Sequence, residues 1–114
     1  MYKGSKMKDL KISIELISSV LVKETRHLTY DTIYVEDNFI IFSYEGEYQF
    51  EVNIYEFAFK CKEWARYKYD ITISSSLYKN YAKSWIIDKD KSYTAKTEVE
   101  VIIKACEWIQ ENIK

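Results

Sequence analysis

The 114-residue chain contains no proline and only two glycines, Gly4 and Gly46. That scarcity excludes long irregular loops and a glycine-rich phosphate cradle, because both rely on these residues for sharp reversals and positive φ. Histidine occurs once, as His27, and cysteine twice, as Cys61 and Cys106. Zinc needs three or four Cys or His ligands at set spacings, and this inventory does not supply them, so no metal or other cofactor is expected. Two cysteines are too few for a disulfide framework, and a reducing compartment is the expectation. Arginine appears twice against fifteen lysines, which is little guanidinium for base or phosphate recognition. Net charge is −1, so no global field draws in nucleic acid or an anionic membrane. Leu10 to Val22 is apolar but interrupted by Lys11 and Glu15, without a small-residue cleavage site after it. A signal peptide is therefore not expected, and no run approaches the ~18 apolar residues of a membrane span. A cytoplasmic location follows as an expectation.

What is present is globular. Apolar residues make up 47% and charged residues 31%, with eleven tyrosines and fifteen isoleucines, a profile typical of AT-rich coding. The length suits one α+β domain over residues 1–114. Residues 1–9 read as a frayed polar segment. Ser13 can cap a helix running to about Lys23, since Ile14, Leu16, Ile17, Val20 and Leu21 recur at three and four; a strand is the alternative. Leu28, Tyr30 and Tyr34 alternate with Thr29, Asp31 and Ile33 as a strand, and Asp37-Asn38 turns it into a second one over Phe39–Tyr44. Gly46 marks the next turn. Tyr48, Phe50 and Val52 then alternate with Gln49 and Glu51. Asn53 with Glu56 reads as a capping box opening a helix to about Lys68, with Ile54, Phe57, Ala58, Cys61, Trp64 and Ala65 inward. Strands follow at Ile71–Leu77, Ala82–Asp88 and Tyr93–Lys96, the last two joined by Asp88-Lys89-Asp90-Lys91. Thr97 with Glu100 is a second capping box, for a helix to about Asn112 that buries Val99, Ile102, Ile103, Cys106, Ile109 and Ile113.

A shift of 44 residues carries one half onto the other without a gap, placing Asn53 on Thr97, Glu56 on Glu100 and Trp64 on Trp108. Two βββα units, over residues 27–68 and 71–113, would build a six-stranded, mainly antiparallel sheet with its helices on one face and a short helix ahead of them. The other face stays partly open, and function is expected there.

Few residues invite chemistry. His27 lacks a nucleophile and an orienting group at any telling spacing. Cys61 and Cys106 lie on apolar stripes, where core packing is the expected role. Ser74-Ser75-Ser76 has no G-x-S-x-G elbow around it and reads as strand. Trp64 and Trp108 are expected to wedge between helix and sheet. No catalytic residue is assigned, and the chain is not expected to be an enzyme. Charge is more informative. From Arg26 to Glu56 seven acids oppose one base, and from Lys60 to Lys91 eight bases oppose four acids. Acidic strands studded with tyrosine suit a protein interface, with Asp31, Glu36, Glu45, Glu47, Glu51, Tyr34 and Tyr44 as its residues. The alternative is a phosphate-following surface of Lys60, Lys62, Arg66, Lys68, Lys79 and Lys83.

The helical segments Asn53-Ile54-Tyr55-Glu56-Phe57-Ala58-Phe59-Lys60-Cys61-Lys62-Glu63-Trp64-Ala65 and Thr97-Glu98-Val99-Glu100-Val101-Ile102-Ile103-Lys104-Ala105-Cys106-Glu107-Trp108-Ile109, with Ile12-Ser13-Ile14-Glu15-Leu16, resemble a group of small phage and prophage proteins of Campylobacter- and Helicobacter-like bacteria. Those proteins often carry proline where this chain has Val99 and glycine near Tyr69. The resemblance implies a mobile-element origin and carries no activity or site residues with it. Together with the acidic aromatic strands, it leads to the expectation of a non-enzymatic protein-binding accessory factor. Its expected partner is a host defence machine such as a nucleic-acid-guided nuclease complex, inhibited in the manner of an anti-CRISPR protein. A nucleic-acid-binding accessory protein using residues 60–91 is the alternative. No membrane partner is expected.

Overall fold

The computed structural model describes residues 11–113; the polar segment expected at residues 1–9 lies outside them. The chain is α+β, as its patterning predicts. In order come α1 (Ile14–Val20), α2 (Val22–Thr25), β1 (Thr32–Glu36), β2 (Phe39–Tyr44), β3 (Glu47–Asn53), α3 (Ile54–Tyr69), β4 (Ile73–Leu77), β5 (Ala82–Ile86), β6 (Lys91–Ala95) and α4 (Glu98–Asn112). The strands form two separate antiparallel sheets, β1-β2-β3 and β4-β5-β6. A single six-stranded sheet was the expectation, and this part of it is corrected. Each half closes its own three-stranded meander before its helix begins, and no ladder joins the two sheets among the described residues.

The βββα order recurs, but not without a gap. Corresponding elements begin 41, 43, 44 and 44 residues apart along the two halves. The drift has a local cause: Asp37 and Asn38 alone join β1 to β2, whereas residues 78–81 join β4 to β5. In the longer connection Tyr78 N–H donates to the Tyr81 carbonyl at 2.7 Å, and the two rings stack with centroids 4.9 Å apart. The β2–β3 turn is a two-residue reversal with both central residues at positive φ, Glu45 at 51° and Gly46 at 81°. Matching a right-twisted hairpin requires that geometry, and glycine adopts it without penalty.

Sheet faces follow from pairing. In the first sheet Ile33, Phe42 and Phe50 lie in one inward row and Val35, Ile40 and Val52 in the next. The expected orientation of β1 is reversed here: Ile33 and Val35 pack on the core, and Tyr34 is exposed. Tyr30 does pack inward, edge-on to Phe42 at 5.0 Å, but from the loop before the strand. A bulge between Phe42 and Ser43 leaves Gln49 without an opposite number and brings Tyr48 beside Ser43. Regular alternation would have buried Tyr48; the extra residue exposes it.

The helices cover the inward faces. Helix α4 packs across all three strands of the second sheet and against α3 and α1. Small side chains permit the close approach: Ser84 is fully buried and its hydroxyl donates to the Val101 carbonyl at 2.8 Å. One hydrophobic cluster runs from Leu16 through Phe42, Phe57 and Trp64 to Ile109, drawing on both halves. The molecule is a plate of 42 × 41 × 18 Å, thin enough for one layer of helix on one layer of strand.

Candidate functional site: a groove beside the β4 edge

Helix α3 starts at Asn53, whose side chain accepts from Tyr55 N–H at 2.8 Å. Helix α4 starts at Thr97, whose hydroxyl oxygen accepts from Glu100 N–H at 3.2 Å and whose hydroxyl donates to the Glu100 carboxylate at 2.9 Å. Both expected N-caps are present. The reciprocal half of each capping box, a glutamate accepting from the cap residue's N–H, is absent among the described residues. These two starts, with the end of β4, frame a groove of about 560 Å³ lined by Tyr55, Ala58, Phe59, Leu77, Val99 and Ile102, with Lys62, Lys96, Thr97 and Glu98 completing it. Three large apolar side chains stand along it in solvent: Tyr55 at 52%, Phe59 at 61% and Leu77 at 67% exposure.

One wall is pinned by a three-residue chain. Lys62 Nζ donates to Ser75 Oγ at 2.8 Å, and the Ser75 hydroxyl donates to Glu98 Oε2 at 2.6 Å. A cation and a carboxylate thus share one half-buried hydroxyl and tie α3, β4 and α4 together. Sequence spacing gives no hint of this, because its members lie 13 and 23 residues apart. Nor did alternation pick out Phe59: the helical stripe marks it as outward, and only its neighbours make it part of a groove.

The acidic set is placed on the first sheet but not gathered. Asp31, Glu45 and Glu47 sit with Tyr44 at the hairpin end, where Asp31 accepts from Glu45 N–H at 3.1 Å and from the Thr32 hydroxyl at 3.0 Å. Glu51 lies mid-sheet across Ile41 from Tyr34, and Glu36 lies at the opposite end beside the Asp37-Asn38 turn. The basic set is dispersed further. Lys60 pairs with Glu24 at 2.8 Å, and that contact pulls the Glu24 carboxyl down and pushes the Lys60 ammonium up. Lys62 faces Ser75, Lys68 lies over Tyr69 at 5.5 Å and Lys83 over Trp85 at 5.3 Å. Arg66 and Lys79 are exposed. Trp85 and Lys83 occupy the open face of the second sheet among Ser74, Ser76, Ser92 and Thr94.

Trp64 is buried and meets Tyr69 edge-on at 5.3 Å. Trp108 is only half-buried, with Lys91 Nζ 5.7 Å from its ring centroid; it borders solvent where a wedge was expected. Among the described residues no three of His, Cys, Asp and Glu are grouped as metal ligands, and no helix is long and apolar enough to cross a membrane. His27 is exposed just after α2. Comparison of the chain with protein-family models, with curated proteins and with solved structures finds no match.

Proposed function

We propose that this protein is a non-enzymatic protein-binding factor of phage or prophage origin that acts in the cytoplasm on a host defence machine, a nucleic-acid-guided nuclease complex in the first instance. The observation that carries the binding reading is the row of Tyr55, Phe59 and Leu77, each more than half exposed along one groove. Apolar surface in water forgoes about 25 cal/mol for every Å² it could bury, and contiguous exposed patches of this kind mark interaction sites. Aromatic anchors with a charged rim are also the usual make-up of an interface hot spot. The acidic hairpin end, Asp31, Glu45 and Glu47 with Tyr44, supplies a second rim on the same molecule.

Capture of partners from the native host, with nuclease-treated and untreated lysates compared, tests the class. Phe59→Ser and Leu77→Ser test the site. Both residues are exposed, so each variant is expected to melt within about 0.5 kcal/mol of the parent while losing the partner by tenfold or more. Partner retention at the parental level in both variants would remove the groove from consideration. Loss of every partner on nuclease treatment would favour the alternative reading, nucleic-acid binding, for which Trp85 and Lys83 on the open face of the second sheet are the relevant feature.

A further inference from the structure

We infer that the groove receives an extended segment of the partner protein, which pairs with the edge of β4 as a fourth strand of the second sheet and turns apolar side chains toward Phe59 and acidic ones toward Arg66. This rests on the protein-binding reading and specifies its mode.

Among the described residues the two sheets have four edge strands: β1, β3, β4 and β6. Folded proteins guard such edges with charge, proline or bulges, because unpaired N–H and C=O groups recruit another strand. Here β1 carries Glu36, β3 carries Glu47, Glu51 and the bulge, and β6 begins at Lys91. Strand β4 reads Ile-Ser-Ser-Ser-Leu, with no charge and a regular register. The Thr72 carbonyl accepts from Ile87 N–H at 3.0 Å, and Tyr78 N–H donates to the Tyr81 carbonyl at 2.7 Å. Antiparallel pairing alternates, so even-numbered residues bond to β5, and Ile73, Ser75 and Leu77 turn their backbone groups to the open side. Those groups have no hydrogen-bond partner among the described residues.

Room lies along that edge. The apolar groove at the Leu77 end adjoins a second of about 210 Å³ at the Ile73 end, and Lys62 lines both. A strand laid on β4 directs every second side chain toward the helix layer, which here presents Phe59 and Ala58 in one groove and Arg66 in the other. Main-chain bonds would hold the segment, and the pockets would choose its side chains. Lys62 and Glu98 are joined through Ser75, and the remaining charge around the edge is mainly cationic: Arg66, Lys79 and Lys96 against Glu63 and Asp70. An acidic segment complements them. A second copy of this chain, pairing β4 with β4, would set the cations against one another.

The probe is a short synthetic peptide in which every second residue is valine over one half and glutamate over the other, with threonine between them, added to the full chain. Two variants separate edge pairing from everything else: Ser75→Ala and Ser75→Pro both remove the hydroxyl, and only the second removes the edge N–H. Proline is tolerated on the open side of an edge strand. Ser75→Pro is expected to bind the peptide about tenfold more weakly than Ser75→Ala, the weight of one net hydrogen bond. In the parent, bound peptide is expected to slow amide exchange at Ile73, Ser75 and Leu77 selectively, a readout that needs no variant to fold. Failure of the peptide to bind, equal affinity of the two variants, or unchanged exchange at the edge overturns strand addition. If Phe59→Ser nevertheless abolishes capture of the native partner, the groove remains the binding site by another mode; if no protein partner is captured by the parent at all, the protein-binding reading itself falls. Equal binding of the same peptide with lysine in place of glutamate overturns the acidic choice, and a dimer dispersed by Ser75→Pro would make a second copy the occupant and overturn the present one.

Discussion

Cys61 and Cys106 are buried where α3 meets α4, neither in a disulfide. Burial, reinforced by a hydrogen bond with the neighbouring Cys106 side chain, pushes the Cys61 thiol well above its ordinary range. The thiolate is the reactive species, so a raised thiol is a slow one. Thiol-reactive reagent is therefore expected to spare Cys61, and burial alone is expected to shield Cys106, until denaturation exposes both; rapid stoichiometric labelling of either without denaturant would contradict their placement. The raised Cys61 value also has a pH consequence. Above the ordinary thiol pKa the unfolded chain releases a proton that the folded chain retains, so this contribution to stability is complete at neutral pH and declines as pH climbs toward the folded value. In denaturant melts across the alkaline range the parent's stability is expected to fall with pH more steeply than that of Cys61→Ala; equal slopes would assign the decline to other groups.

The N-terminal helix depends on a residue ninety-four positions away. Ser13 N–H donates to Glu107 Oε2 at 2.6 Å, and its hydroxyl donates to Glu107 Oε1 at 2.7 Å while accepting from Leu16 N–H at 3.1 Å. A glutamate in the helix's own first turn commonly fills that place; here α4 provides it, and a carboxylate at a helix start is favoured by the helix dipole. At seven residues α1 is too short to persist without help. Glu107→Ala is expected to cost about 1–3 kcal/mol in a denaturant melt, through unsatisfied donors at a part-buried cap. Amide exchange is expected to quicken across Ile14–Val20 while β5 stays protected. A melt unchanged by the substitution would show that packing alone holds α1 in place. Helix α4 differs from its sequence pattern in the same spirit. Val101 and Ala105 are buried beside the expected stripe because α4 touches the second sheet, α3 and α1 at once.

Over the molecule as a whole, the acidic strands and the basic stretch after them fall on different surfaces: exposed carboxylates on the first sheet, cations around α3 and the second. Glu47 and Glu51 are both exposed on β3, opposite Tyr44 and Ile41. Reversing both to lysine relieves a strand segment rich in one sign, so the melting temperature is expected to stay or rise. Association with the captured partner is expected to slow and to lose salt dependence, since steering by exposed charge acts on the encounter rate. Association kinetics unchanged across a salt series would assign the acidic face to solvent alone.

Local chemistry made much of this fold readable. The inward face of α3, Ile54 through Ala65, follows from apolar spacing alone, and the caps at Ser13, Asn53 and Thr97 follow from side chains that reach their own helix's first N–H groups. Turns at Asp37-Asn38 and Glu45-Gly46 were legible for the same reason, since positive φ is set by one or two residues. Contacts between distant parts of the chain were not. Which side of β1 faces inward depends on pairing with β2, and a single bulge at Gln49 exposes Tyr48 against the local pattern. Whether six strands make one sheet or two depends on which edges meet, and the Ser75 tie, the Glu107 cap and the exposed row beside β4 exist only once α3, β4 and α4 are packed. Periodicity reports where a side chain points from its own element; what it meets there is decided by the packing of elements against one another.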